Sequence, residues 1–196
     1  MSKALRLAVT GNIGSGKSVV SRMLAIMGVP VYDCDSRAKE LMNSDRVIRE
    51  GLVRMFGEEC YDADGVLCRE WLAARIFTDA QNIKRVNALV HPRVKEDFLA
   101  WADNADTDIV AVESAILYES GMIDTVDKVL VVWCDGDTAV QRVVASRGMS
   151  KQQVLNRLQN QMTADELLIL SDFSLRNDGV TPVVPALVDL LEGLRG

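Results

Sequence analysis

Gly11-Asn12-Ile13-Gly14-Ser15-Gly16-Lys17-Ser18, directly behind the apolar run Leu5–Val9, decides the reading of the whole chain. A strand, a turn of fixed length carrying glycines, and then Lys and Ser at the head of a helix is the Walker A phosphate-binding loop, or P-loop. Gly11, Gly14 and Gly16 admit dihedrals closed to other residues, so the backbone can curl its N–H groups around a phosphate oxygen. A helix starting near Lys17 adds its positive dipole end at the same point. Lys17 then reaches the β- and γ-phosphates of a nucleoside triphosphate, and the Ser18 hydroxyl ligates Mg²⁺. The helical spacing of Val19, Met23, Leu24 and Met27, closed by Gly28, supplies the helix that the motif requires. The loop does not say where the phosphoryl group goes.

The bulk properties narrow the classes. A chain of 196 residues with 48% hydrophobic content suits one domain of ordinary size with a real core. Its net charge of −6, from 22 Lys plus Arg against 28 Asp plus Glu, argues against a general nucleic-acid or anionic-membrane binder. Cys34, Cys60, Cys68 and Cys134 show no C-x-x-C spacing, and the single His91 leaves no zinc constellation. They read as small apolar fillers in a reducing compartment. The first apolar run is a short strand and not a signal peptide, and no apolar run reaches about 18 residues, so the expectation is a cytoplasmic protein without a membrane partner.

Beyond the loop helix, Val29–Tyr32 reads as a short strand placed beside the P-loop strand and ending in Asp33-Cys34-Asp35. In open α/β sheets ligands bind outside the carboxyl ends of strands, where both carboxylates fall. Asp33 is read as chemistry; Asp35 divides between chemistry and capping, with Ser36 the other cap candidate for a helix over 37–42. Ser44 or Asp45 caps a helix carrying Val47, Leu52, Val53 and Phe56 and ended by Gly57. Asp62-Ala63-Asp64-Gly65 matches the D-x-x-G of GTPase switches, but no N-K-x-D follows, so it reads as a turn. Arg69–Phe77 and, behind a Thr78/Gln81 capping box, Asp79–Leu89 read as helices, and Pro92 starts another. Residues 35–104 therefore form a helical insertion suited to holding a substrate, within a core of 1–34 and 105–196.

Strand patterns return at Asp108–Val112, ending at Glu113, and at Lys128–Val132. A helix over 137–146 is broken by Gly148, and a Ser150/Gln153 capping box opens a long helix to about Leu170. Phe173–Leu175 is a last short strand. Asn177-Asp178-Gly179 turns the chain into a closing helix with Val184, Leu187, Val188, Leu191 and Leu194 on its apolar side. Alternating strands and helices give an α/β fold, a P-loop kinase-like parallel sheet with helices on both faces.

A kinase acting on a small molecule needs a phosphate cradle, a metal, a carboxylate near the acceptor hydroxyl and cations for the transferring group. Glu113, an acid ending a buried strand, either holds a water of the metal or is simply solvated. Arg142 and Arg147 flank the break at Gly148, as lid arginines would, within a lid of about 142–165; Arg157 and Gln161 are spaced to share one helix face.

In the order Thr10–Ser18, Asp33-x-Asp35, Arg69 within Leu67-Cys68-Arg69-Glu70-Trp71-Leu72, His91-Pro92, Ile116-Leu117-Tyr118-Glu119, Gln141-Arg142, Arg157-x-x-x-Gln161 and Asn177-x-Gly179, the chain resembles the dephospho-coenzyme A kinase family over nearly its whole length. The resemblance implies transfer of the ATP γ-phosphoryl group to the ribose 3′-hydroxyl of dephospho-coenzyme A. It implies Asp33 as general base, Arg142 and Arg147 as lid cations, and Asn177 to Gly179 as a wall of the adenine site. The acceptor is then held by the insertion, with Asp35, Arg69, His91 and Glu119; for His91 a structural bond before Pro92 is an equal alternative. Ala115 stands where the family usually has Pro, Ser114 at a usually apolar place, and Cys34 where Ala is commoner. A nucleoside or nucleotide kinase of the same fold, and a nucleotide-dependent switch, are the competing readings.

Overall fold

The computed structural model describes residues 3–76 and 79–196, the side chain of Arg147 excepted. Phe77 and Thr78, and with them the expected Thr78 half of a capping box, lie outside the described residues. The chain divides into two compact units, Met1–Tyr32 with Ala102–Gly196, and Asp33–Trp101.

The first unit is built on β1 (Leu5–Thr10), β2 (Val31–Asp33, whose last residue opens the second unit), β3 (Ile109–Glu113), β4 (Lys128–Trp133) and β5 (Phe173–Arg176), in the order β2-β3-β1-β4-β5. β1 runs parallel to β3 and to β4, with Val9 opposite Glu113 and Leu130, and β4 runs parallel to β5. The sequence reading sets β2 beside β1; the structure sets β3 between them. β3 and β4 are Val/Ile/Leu runs buried on both faces and so fit the centre, whereas a three-residue strand ending in the exposed Asp33 belongs at the edge.

Alternation along the strands sorts the core. Leu7, Val9, Ile109, Ala111, Leu130, Val132 and Leu175 pack with Val20 and Leu24 of α1 (Lys17–Ile26) and with Leu187 and Leu191 of the C-terminal helix Val183–Arg195. Ala8, Val110, Val112, Val129 and Val131, on the opposite face, are buried as well. On the C-terminal helix the buried side differs from the sequence reading. Val183, Leu190 and Leu194 join Leu187 and Leu191, while Val184 and Val188 face out, because the sheet contact selects one stripe of a helix apolar nearly all round.

In the second unit, Asp33 caps α2 (Cys34–Ser44): its carboxylate accepts from the N–H groups of Asp35 and Ser36. Neither Asp35 nor Ser36 is the cap, since both already lie in the first turn and only Asp33 has the extended backbone a cap needs. Asp45 caps α3 (Arg46–Phe56), and Gly57 ends it. Asp62 Oδ1 accepts from Asp64 and Val66 N–H, so the D-x-x-G match is a turn closed by the Tyr61–Leu67 bridge. α4 spans Arg69–Ile76. α5 runs unbroken from Ala80 to Asp103 with Pro92 inside it, where the sequence reading ends one helix and starts another. Val86, Val90, Val94 and Phe98, four residues apart, are all buried, and that continuous stripe outweighs the one N–H that proline removes.

Back in the first unit, α6 (Gly136–Arg147) ends at Gly148, whose φ is 63°. α7 (Lys151–Leu158) opens with the expected Ser150/Gln153 capping box. The expected long helix then stops. A second capping box, Thr163 with Glu166, starts α8 (Ala164–Leu170), and the C-terminal helix is α9. Gln161 thus lies beyond the end of α7 and shares no helix face with Arg157. Among the described residues no helix is long and apolar enough to cross a membrane.

Candidate active site

The loop between β1 and α1 is set by close approaches. A Cβ on Gly11 would stand 2.1 Å from the carbonyl oxygen of Val132 in β4, and one on Gly16, at φ 92°, would stand 2.0 Å from Asn177 Nδ2. Any side chain there would push the loop off its neighbours. The Lys17 ammonium, buried, donates to the carbonyls of Gly11 (2.7 Å) and Asn12 (3.0 Å). Its charge is therefore held at the loop before any phosphate arrives. Not every loop N–H turns inward to an anion: that of Ile13 donates to Gln161 Oε1 at 3.0 Å, and that of Ser15 to the Asn12 carbonyl at 3.1 Å.

Two observations test the loop against its implied ligands. Ser15 Oγ is buried with no hydrogen-bond partner, an orphan that a phosphate oxygen would satisfy. Ser18 Oγ, in the first turn of α1, donates to Glu113 Oε1 at 2.7 Å, at the end of β3. A hydroxyl and a carboxylate are hard oxygen donors, and Mg²⁺ commonly takes only one or two protein oxygens, filling the rest of its octahedron with waters and phosphate. Among the described residues no three His, Cys, Asp or Glu side chains converge as a metal site.

Asn177, directly after β5, ties three parts together. Its N–H donates to the Trp133 carbonyl (2.8 Å), its Nδ2 to the Ser15 carbonyl (2.9 Å), and its own carbonyl accepts from Arg142 Nη1 (2.7 Å). Gly179 lies under the same guanidinium, 3.5 Å from the position its Cβ would take to Arg142 Nη2. Arg142, Asn177, Gly179 and the loop thus form one group. Cys134 stands beside it, its Sγ 3.9 Å from the Gly14 carbonyl, and burial pushes its thiol up despite the nearby Arg142. Arg147 belongs to α6, but its side chain lies outside the described residues.

Glu119 Oε1 accepts from the Met162 N–H at 3.3 Å, beside the loop segment. In the second unit, Asp33 also accepts from Ser36 Oγ at 2.7 Å, and Asp35 pairs with Lys39 on the exposed first turn of α2. Arg69 opens α4 and is exposed; His91 is half-buried in α5, where burial pushes its pKa below the ordinary imidazole value. Sequence reasoning singled out Gln161 as a helix-face partner of Arg157 but missed that the segment Gln161–Met162 contacts Asn12 and Ile13 directly. The one available signal was Thr163-x-x-Glu166, a capping pattern that marks a helix start where one long helix was expected.

Comparison with known proteins follows the same line. A Bacteroides fragilis dephospho-CoA kinase is 40% identical over 189 residues, covering 96% of this chain and 92% of its own. A crystal structure from Thermus thermophilus, 31% identical, superposes with a TM-score of 0.84 over the full length of both chains. The fold is shared with a Campylobacter jejuni dephospho-CoA kinase at a TM-score of 0.71 and 20% identity, over 96% of this chain and 98% of that one. The sequence model of the CoaE dephospho-CoA kinase family matches residues 5–182. With that match over residues 5–182 and a relative 40% identical over 96% of this chain, the protein belongs to the dephospho-CoA kinase family.

Proposed function

We propose that the protein transfers the γ-phosphoryl group of ATP to the ribose 3′-hydroxyl of dephospho-coenzyme A, giving coenzyme A and ADP. Family membership across the chain carries the acceptor; the Ser18–Glu113 pair beside the Lys17 loop carries the donor side. In the reaction the 3′-oxygen attacks the γ-phosphorus in line, the bond to the β,γ-bridging oxygen breaks, and the hydroxyl proton passes to the Asp33 carboxylate. Asp33 is supported by its place at the carboxyl end of β2, where ligands of open α/β sheets bind. Lys17 exchanges its two loop carbonyls for the β- and γ-phosphate oxygens. Arg142, already held over Asn177 and Gly179, and Arg147 supply cations for the charge that gathers on the leaving ADP. Ser18, and Glu113 through a water, would hold Mg²⁺, which would supply positive charge for the phosphates.

The insertion at 35–104, with Asp35, Arg69 and His91, is assigned to the acceptor together with Glu119, whose carboxylate also accepts from the Met162 N–H. Four reduced thiols suit a cytoplasmic enzyme, and a net charge of −6 suits a small-molecule substrate better than a nucleic acid.

The test is ADP release by the purified protein with ATP, Mg²⁺ and either dephospho-coenzyme A or a panel of nucleosides and nucleotides. Release is expected with dephospho-coenzyme A, abolished by EDTA and restored by excess Mg²⁺. ADP release driven by a nucleoside and not by dephospho-coenzyme A would sink the proposal in favour of a nucleoside kinase. Turnover of GTP alone would point to a switch.

A further inference from the structure

Between α7 and α8, residues 161 and 162 make two hydrogen bonds to the phosphate loop and two to the segment after β3. Gln161 Oε1 accepts from the Ile13 N–H (3.0 Å), and Gln161 Nε2 donates to the Ala115 carbonyl (3.2 Å). The Met162 carbonyl accepts from Asn12 Nδ2 (2.7 Å), and its N–H is held by Glu119 Oε1 (3.3 Å). The same turn is gripped from its apolar side. Ile13 is buried in a cluster with Val140 and Val143 of α6 and Val154 of α7, against which Met149 and Leu158 pack. Asn12–Ile13 is thus clamped by α6, α7 and the segment after them.

We propose that Gln161 is a positioning residue that pre-organises the phosphate loop for nucleotide and links it to the segment following Glu113. It acts through Ile13 and Ala115 rather than on the nucleotide. A neutral carboxamide is required for this: one end must accept from an N–H while the other donates to a carbonyl, and a carboxylate can do only the first. The Ile13 N–H is taken up in holding the loop's shape, which leaves the anion to other groups of the cradle. Without the clamp, ordering the Asn12–Ile13 turn becomes part of the cost of binding nucleotide, so the loss appears in ground-state affinity and not in the chemical step.

The kinetic half of this inference rests on the kinase reading above; the binding half rests on the loop alone. Isothermal calorimetry with ADP and Mg²⁺ is compared for the parent, Gln161→Ala and Gln161→Glu, together with steady-state kinetics. Gln161→Ala is expected to weaken ADP binding about 10-fold and raise KM for ATP in proportion, as loss of two neutral hydrogen bonds implies, with kcat and the acceptor KM within about 2-fold of the parent. Gln161→Glu keeps the acceptor for Ile13 but sets a carboxylate against the Ala115 carbonyl and brings negative charge to the phosphate loop, so it is expected to weaken ADP binding at least as much as Gln161→Ala. Parental ADP affinity in Gln161→Ala overturns the proposal, as does a variant that loses kcat and acceptor affinity alike. If Gln161→Ala fails to fold, Gln161→Glu decides by the same readings. Should the parent prove inactive on dephospho-coenzyme A, the substrate assignment falls, and the ADP affinities still judge Gln161.

Discussion

Lys17 illustrates how a single residue is prepared for its task. Its buried ammonium lies on two loop carbonyls, so binding exchanges partners and does not bring a charge out of water. Lys17→Ala removes that cation where charge gathers on the transferring group; kcat/KM for ATP is expected to fall at least ~100-fold, with the circular dichroism spectrum unchanged. Asp33 does two things at once, ending β2 and capping α2. That makes Asp33→Asn an informative test, because Asn caps a helix about as well as Asp, while the charge and the acceptor for the exposed Ser36 hydroxyl are lost. The variant is expected to keep its melting temperature and its ATP affinity while kcat drops ~100-fold or more. Asp35→Asn breaks an exposed pair with Lys39 and removes a proposed acceptor contact, so its loss is expected in the acceptor KM, with kcat within about 2-fold of the parent. The opposite pattern would move the base to Asp35.

At the scale of elements, the caps and breaks carry the most information. Ser150 and Gln153, Asp45, Gly57 and Gly148 end or start helices by bonds within a few residues, and each is legible in the sequence for that reason. Pro92 misleads because a local rule meets a long apolar stripe, and the stripe prevails. The turn into α9 offers a pH test. Backbone N–H groups of Thr181 and Val180 hold the Asp178 carboxyl down to about 2, below its ordinary 3.8. A depressed folded-state pKa means the stabilisation is complete above the ordinary value and lost as pH falls through the folded one. In thermal melts Asp178→Asn is therefore expected to lie below the parent at pH 5 to 7, with the gap closing between pH 3.8 and about 2. A gap that persists unchanged to pH 2 would mean the charge contributes nothing.

For the molecule as a whole, residues from β1, α1, β3, α6 and the segment after β5 meet at one end of the sheet, so the proposed nucleotide site is a surface that exists only when the first unit is folded. Anything that binds only the folded state stabilises it by mass action. ADP with Mg²⁺ at a hundred times its Kd is expected to add about 2.7 kcal/mol, which for a chain of this size is roughly 5–10 °C in melting temperature. Differential scanning fluorimetry checks this, and Lys17→Ala should lose most of the shift. No shift in the parent would contradict nucleotide binding at the loop.

By itself the sequence determined what depends on neighbours along the chain: the Walker loop, the strand ends that carry Asp33 and Glu113, the Ser150/Gln153 helix cap, and the ordered motifs that mark the family. Those signals are hydrogen bonds and dihedral demands spanning a few residues, so they are written locally. Only the tertiary structure decided that β3 separates β2 from β1, that Val184 and Val188 face outward, and that Asn12 and Met162, 150 residues apart, share a hydrogen bond. Each of these turns on which surfaces pack together. A β-branched run states that it will be buried but not beside which strand, and a glutamine past a helix end does not announce the backbone N–H it will hold.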